Sequence, residues 1–222
     1  MIFNMKLATS SQIKEIDKLS TNKYGIPSLI RMEVAGLKSF DIIKKQYNPK
    51  KSLIVVGTGN NGGDGLVIAR YLLLNNYECS IYIVKTSRIR SKDFVTNLSI
   101  IKKLGVKTTN EWKNVKTKEY DLIIDGIFGV GLNRPLNSKI NILIKTLNKT
   151  KIPICSIDIP SGLDPDSGKM LSTSIIADST ITFDFAKTGL LTDPGAKFSK
   201  KIFIVKLPTP ETLSKKLNNF YI

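Results

Sequence analysis

The sequence predicts an α/β protein, a three-layer αβα sandwich around a mostly parallel central sheet. Short runs that are apolar throughout alternate with longer segments of helical period. Strands without a polar face imply a sheet covered on both sides. A glycine-rich turn also joins the first of these strands to a helix. The length of 222 residues suits a single domain, taken as 1–222.

Each element has its own signal. Residues 9–22 place Ile13, Ile16 and Leu19 on one face after a Thr/Ser start suited to an N-cap. Pro27 opens a second helical stretch, 26–45. Both helices precede the first strand and are expected on one side of the sheet. Residues 52–57 (SLIVVG) form that strand by their β-branched content. A helix over 64–75 and a strand over 79–84 follow, then a helix over 91–104 and a strand over 121–126. A helix over 137–149 leads to strands over 152–158, 179–183 and 201–205. Residues 209–220 form a terminal helix after Pro208.

Composition narrows the function classes. No apolar run approaches the roughly 20 residues that cross a bilayer. The first residues lack a secretory pattern, so the chain reads as cytoplasmic, with no membrane partner. Cys79 and Cys155 sit in apolar runs without a CxxC motif, as buried thiols do. The net charge of +16 suggests nucleic acid, but only five of the 34 basic residues are Arg and the lysines form no dense cluster. Attraction for small anions fits this pattern better. There is no histidine. Acid–base chemistry therefore falls to Asp, Glu, Lys, Tyr, Cys or water.

The turn GTGNNG (57–62) matches G-x-G-x-x-G between a strand and a helix, which makes the expected sandwich Rossmann-like. Gly57 and Gly59 permit a tight turn, and amides at the helix start would face a phosphate. Asp64 is expected in the first turn of that helix. Gly62-Gly63-Asp64 stands where a P-loop needs Gly-Lys-Ser/Thr. A dehydrogenase of ordinary type needs an acid after the second strand, where this chain has Val84-Lys85-Thr86.

Three carboxylates follow strand ends: Asp64, Asp125 and Asp158. In a parallel sheet they should converge on one crevice at the carboxyl edge. The loop 126–135 is glycine-rich and carries Arg134, suited to a second phosphate. The loop 159–168 carries Ser161, Asp164 and Asp166, the latter two readable as turn formers. Oxygen donors without His or Cys suit Mg²⁺, Ca²⁺ or an alkali cation rather than zinc.

Together these blocks resemble one family, the NAD(P)H-hydrate epimerases or YjeF N-terminal domains. The resemblance rests on GNNGGDGLVIARYL (59–72), DLIIDGIFGVGLNRPL (121–136), SIDIPSGLDPDSG (156–168) and ADSTITFDFAKTGLL (177–191). It covers the chain from about residue 9 to the end. It implies a stand-alone epimerase that interconverts the R and S forms of hydrated NADH or NADPH (NADHX, NADPHX) at C6 of the nicotinamide ring. Substrate contacts would come from Asn60, Asn61, Gly62, Gly63 and Asp64. Further contacts would come from Gly129, Val130, Gly131, Leu132, Asn133, Arg134, Pro135 and Asp158. Asn61, Asp125 and Ser161 would hold a potassium ion (K+), helped by backbone carbonyls near Val130. Asp158 is the candidate for proton transfer at C6. The family's usual Lys-Pro is Lys187-Thr188 here, and Lys187 receives no role.

The resemblance also implies functional pairing with a separate ATP- or ADP-dependent dehydratase, and a homodimer fits it. A second reading is a non-catalytic nucleotide- or RNA-binding module of the same fold, which has no stated need for the matched site residues. A third, an NADP-linked oxidoreductase, would need a proton relay. Tyr47 and Lys51 have the right spacing but precede the glycine turn and span a Pro.

Overall fold

The chain runs through β1 (Asn4–Ala8), α1 (Ser10–Asn22), α2 (Ser28–Tyr47), β2 (Lys51–Val56) and α3 (Asn60–Leu74). Next come β3 (Glu78–Ile83), α4 (Lys92–Lys103), β4 (Lys107–Thr109), β5 (Leu122–Gly126) and α5 (Ser138–Asn148). It ends with β6 (Ile154–Ile157), β7 (Ser179–Phe183), β8 (Ala186–Lys187), α6 (Thr188–Leu191), β9 (Ile202–Val205), α7 (Glu211–Ser214) and β10 (Asn219–Tyr221). These elements come from a computed structural model that describes residues 4–215 and 219–221.

Seven strands form the central sheet in the order β4-β3-β2-β5-β6-β7-β9, and every pairing is parallel. One face is covered by α2, α3 and α4, whose Phe40, Ile43, Ile68, Leu72, Phe94 and Ile101 pack against Ile54, Ile81 and Ile124. The other face is covered by α5, where Ile140, Leu143, Ile144 and Leu147 meet Leu53, Val55, Ile123 and Ile154. The alternation of side chains along a strand sends Ile54 to one layer and Val55 to the other. Both layers need an apolar sheet face, so the strands read as unbroken apolar runs. The expected α/β sandwich is therefore the observed fold.

Local chemistry sets the helix ends. Thr9 and Gln12 close a capping box at the start of α1. Ser91 caps α4 and Asn137 caps α5 through their side-chain oxygens. Asn48, in left-handed conformation, ends α2.

The structure departs from the sequence reading in four places. α3 starts at Asn60, with Gly59 as its N-cap, rather than at 64. Asp64 thus lies in the second turn. Gly62, Gly63 and Gly65 are helical, and close packing explains them: added Cβ atoms would meet the Gly57 carbonyl, Met32 and Val56. A run of glycine that reads as a loop is here the contact face of a helix. Second, α1 does not share a layer with α2. Its Ile13 and Ile16 pack with Ala8, Phe185 and Leu213 in a separate cluster. Third, β1 pairs in parallel with β8 and antiparallel with β10, forming a small second sheet that the sequence reading lacks, as it lacks the short edge strand β4. Fourth, the terminal helix is only Glu211–Ser214, while Asn219 and Phe220 belong to β10. Residues 216–218 of that expected helix lie outside the described residues.

Gly36 of α2 tests how tightly α2 and α3 are joined. A Cβ at Gly36 would lie 2.5 Å from Cβ of the buried Val67. Gly→Ala in an open helix position gains about 1 kcal/mol. Here overpacking, about 1–3 kcal/mol, opposes that gain. Gly36→Ala is expected to lower stability by about 1 kcal/mol, read from the urea midpoint at constant slope. A rise in the midpoint would show that the two helices are not in close contact at this point.

Candidate active site

The winding of the sheet reverses between β2 and β5, and such switch points open a crevice at the carboxyl ends of the strands. A cavity of about 640 Å³ lies there. That is within the roughly 300–1,000 Å³ usual for small-molecule sites. Asn60, Asn61, Asp64, Gly129, Val130, Gly131, Leu132, Asn133, Arg134 and Asp158 line it. Gly62, Gly63 and Pro135 are not part of its wall. Gly62 and Gly63 serve the close approach of α3 instead.

Asp158 follows β6 in a left-handed conformation with φ 69°, which a non-glycine residue adopts only at a cost. Its amide donates to the Ile181 carbonyl at 2.7 Å, which holds the bend. Lys187 Nζ meets its Oδ1 at 2.6 Å, and the Val130 amide donates to its Oδ2 at 3.0 Å. The Lys187 side chain is only 1 % exposed. Its remaining donors reach Thr182 Oγ1 at 2.8 Å and the Phe183 carbonyl at 3.2 Å. Gly129 lies so close that a Cβ there would come within 2.6 Å of Asp158 Oδ2.

Asp125 and Ser161 do not reach the cavity. The expected convergence of three carboxylates therefore fails for Asp125, which ends β5 beneath the floor with no exposed surface. Its Oδ1 accepts from Ser161 Oγ at 2.6 Å and from the Ile127 amide at 3.2 Å. Its Oδ2 accepts from Ser156 Oγ at 2.8 Å and from the Ser161 amide at 2.9 Å. Burial raises its pKa, and these donors oppose that rise. Among the described residues no ion pair reaches Asp125. Asn61 is 9 % exposed, and neither Oδ1 nor Nδ2 has a hydrogen-bond partner among them.

The rest of the wall carries charges that the sequence reading missed. Arg31 of α2 is buried and donates to Asp17 at 2.6 Å, Ser20 at 3.0 Å and Thr209 at 2.6 Å. Asp184, also left-handed, takes a longer 3.4 Å contact from Arg31 and accepts from the Leu207 amide and Thr209. This cluster ties α1 and α2 to the segment after β9. A signal was available for Arg31, which stands on the apolar face of α2 beside Met32 and Ala35. Asp164 and Asp166 behave as turn residues. Asp164 accepts from the amides of Asp166 and Ser167, and Asp166 accepts from the amide and hydroxyl of Ser10.

Residues 28–189 match the model of the family described as "YjeF-related protein N-terminus". The chain belongs to this family. It is 34 % identical over 197 residues to a Weissella koreensis protein named NAD(P)H-hydrate epimerase, covering 88 % of each chain. It is 36 % identical to a protein of the same name from Limosilactobacillus fermentum, covering 88 % of this chain and 94 % of that one. A Moorella thermoacetica protein named bifunctional NAD(P)H-hydrate repair enzyme Nnr is 32 % identical, but the match takes up only 42 % of its length. Among solved structures, the crystal structure of yeast ynu0 (YNL200c) is similar, with a TM-score of 0.83 and 25 % identity over 96 % of this chain and 93 % of that one.

Removing Lys187 would leave the carboxylate of Asp158 without its cation in a site that is 8 % exposed. Lys187→Met is expected to cost about 3 kcal/mol, as broken buried pairs do. Adding Asp158→Asn to that variant should return part of the loss, read by urea unfolding of both variants and the parent. An additive double variant would show that the two groups do not interact.

Proposed function

We propose that this chain is an NAD(P)H-hydrate epimerase that interconverts the R and S forms of NADHX and NADPHX, acting as one domain over 1–222. One observation carries the reading. The start of α3, the loop 129–134 and the Lys187-paired Asp158 line a single cavity of nucleotide size. The named epimerases of Weissella and Limosilactobacillus, similar along most of their length, support it.

In this reading Asn60, Asn61 and Asp64 contact the substrate from α3. The backbone of Gly129–Asn133 and the side chain of Arg134 hold its phosphates. Gly62 and Gly63 contribute by letting α3 approach. The ring nitrogen donates its lone pair, the C6–O bond breaks, and water returns on the opposite face. Positive charge develops on the ring between these events. Asp158 is the catalytic residue that faces it, since a fixed charge aimed at developing charge lowers the barrier. Its left-handed backbone and its two hydrogen bonds fix its direction before substrate arrives.

The residues at and beneath the floor fit a potassium ion. Asn61 has a buried, unpartnered Oδ1, and Asp125 is a buried carboxylate among neutral oxygens. A single carboxylate with neutral oxygen donors balances a monovalent cation better than a divalent one. Asn61, Asp125 and Ser161 would hold it, and its charge would steady the loop that follows β5. The bifunctional Moorella relative supports pairing with a dehydratase, here a separate ATP- or ADP-dependent protein.

Purified protein supplied with the R form of NADHX should produce the S form, followed by chromatography. An unchanged R form would overturn the reading. Replacing K+ by tetramethylammonium should slow conversion at least about tenfold, one pKa-unit equivalent of binding energy. An equal rate in both salts would remove the cation assignment. Asp158→Asn should slow conversion at least about a hundredfold, the scale of a lost electrostatic contact in a transition state. Full activity in that variant would remove Asp158 from the chemistry.

A further inference from the structure

We infer that Asp64, and not Asp158, carries the proton that moves at C6, so that two cavity carboxyls divide the work. The inference rests on the epimerase reading above and deepens it.

Asp158 is poorly suited to moving a proton. Both of its oxygens already accept hydrogen bonds, one from an ammonium group at 2.6 Å and one from a backbone amide at 3.0 Å. A proton on Asp158 would cancel the charge that the buried Lys187 ammonium pairs with, leaving that cation uncompensated. Lys187 is held by Thr182 and Phe183 as well, so it does not swing away.

Asp64 is the opposite case. It lines the same cavity from the second turn of α3 and keeps part of its surface open to it. Among the described residues its carboxyl makes neither a hydrogen bond nor an ion pair. Such a group is free to bond to a ligand and to rotate a proton toward it. One turn earlier, Asn61 presents a buried amide that also lacks a partner. Asp64 therefore offers hydrogen bonds from the same helix face to a polar group in the cavity.

The surroundings set the protonation state. Burial, followed by the charges of Asp158 and Asp17, raises the pKa of Asp64 well above the usual carboxylate range. Lys187 pulls the other way, and Asp93 adds to the rise. The wall's other bases are Lys14, Arg31 and Arg134, of which Arg31 is tied to Asp17. A neutral acid beside a charged carboxylate is the arrangement that separates proton donor from charge stabiliser.

The step balances without any oxidant. The Asp64 proton passes to the C6 hydroxyl, the C–O electron pair leaves with the new water, and the nitrogen lone pair forms the C=N bond. Water then adds to C6 from the other face, the C=N pair returns to nitrogen, and the surplus proton returns to the Asp64 carboxylate. Asp158 stays charged throughout.

The test uses the intact protein with R-form NADHX. Parent protein that does not convert it overturns this inference together with the epimerase reading. With an active parent, Asp64→Asn should lower kcat at least about a hundredfold while KM changes less than about threefold. Asp64→Glu should recover part of the rate, and added formate should partly rescue Asp64→Ala. The parent's kcat should fall as pH rises through the raised pKa of Asp64, because the protonated form is the donor, and this limb should vanish in Asp64→Asn. Equal thermal midpoints for parent and Asp64→Asn would show that the loss is chemical. A kcat for Asp64→Asn within tenfold of the parent would overturn the assignment. So would a loss that neither Asp64→Glu nor formate relieves.

Discussion

The architecture depends on how closely α3 approaches the sheet. Along β2, α3 and the β5 loop, backbone meets backbone with no space for side chains. An added Cβ at Gly62 would strike the Gly57 carbonyl, and one at Gly126 would lie 3.2 Å from the Asn61 carbonyl. Gly57 faces the Ile127 carbonyl in the same way. These contacts draw the start of α3 down onto the switch point of the sheet. They place Asn61 over the floor and Asp64 beside the cavity. The entropic cost of so many glycines is offset by a geometry that larger residues could not reach.

A second constraint is the handling of buried charge. Arg31 and Lys187 are both removed from water, and both meet carboxylates at 2.6 Å. Each pair also fixes a segment. Arg31 joins α1, α2 and the stretch after β9, which encloses one end of the cavity. Lys187 reaches Asp158 because β8 is held against β1. The small second sheet thus has a role at the cavity: it delivers the lysine that orients Asp158. A buried ion pair contributes little net stability, but it fixes direction.

Much of this was legible in the sequence, for identifiable reasons. The six longer central strands, from Leu53 to Val205, could be read because both sheet faces are buried and the apolar runs are unbroken. Asp64 and Asp158 could be placed at a crevice because strand ends converge in parallel sheets, and Asn60 and Asn61 through the family resemblance of 59–72. Other features needed the third dimension. The start of α3 is hidden in the sequence because glycine demanded by packing looks the same as glycine demanded by a turn. β1, β8 and β10 are short, and their pairing partners are nearly 180 residues or more than 200 residues apart in sequence. Lys187 looks like an ordinary surface base until its carboxylate partner is known, whereas Arg31 is marked only by its place on the apolar face of α2. Asp125 carried the right strand-end signal, yet its side chain points beneath the crevice, where Ser156 and Ser161 receive it.

The charge of the chain and the charge of its cavity have different tasks. Overall the protein carries +16, spread mainly over lysines. Such a field draws in an anionic dinucleotide without regard to orientation. Inside, the basic excess is gone, with Lys14, Arg31, Arg134 and Lys187 facing five acids. Asp17, Asp64, Asp93, Asp158 and Asp184 line the cavity, while Arg31 and Lys187 are consumed in pairing with three of them. Arg134, on the loop that follows β5, is exposed at the wall and has no ion-pair partner among the described residues. A substrate with negative phosphates and a ring that turns positive in the transition state needs both signs, separated in space. In the proposed reading the phosphates are held by backbone amides and Arg134, and the ring is directed toward the acids. In that reading the separation would orient the substrate and favour the cationic intermediate over the neutral ground state, which is the difference on which catalysis depends.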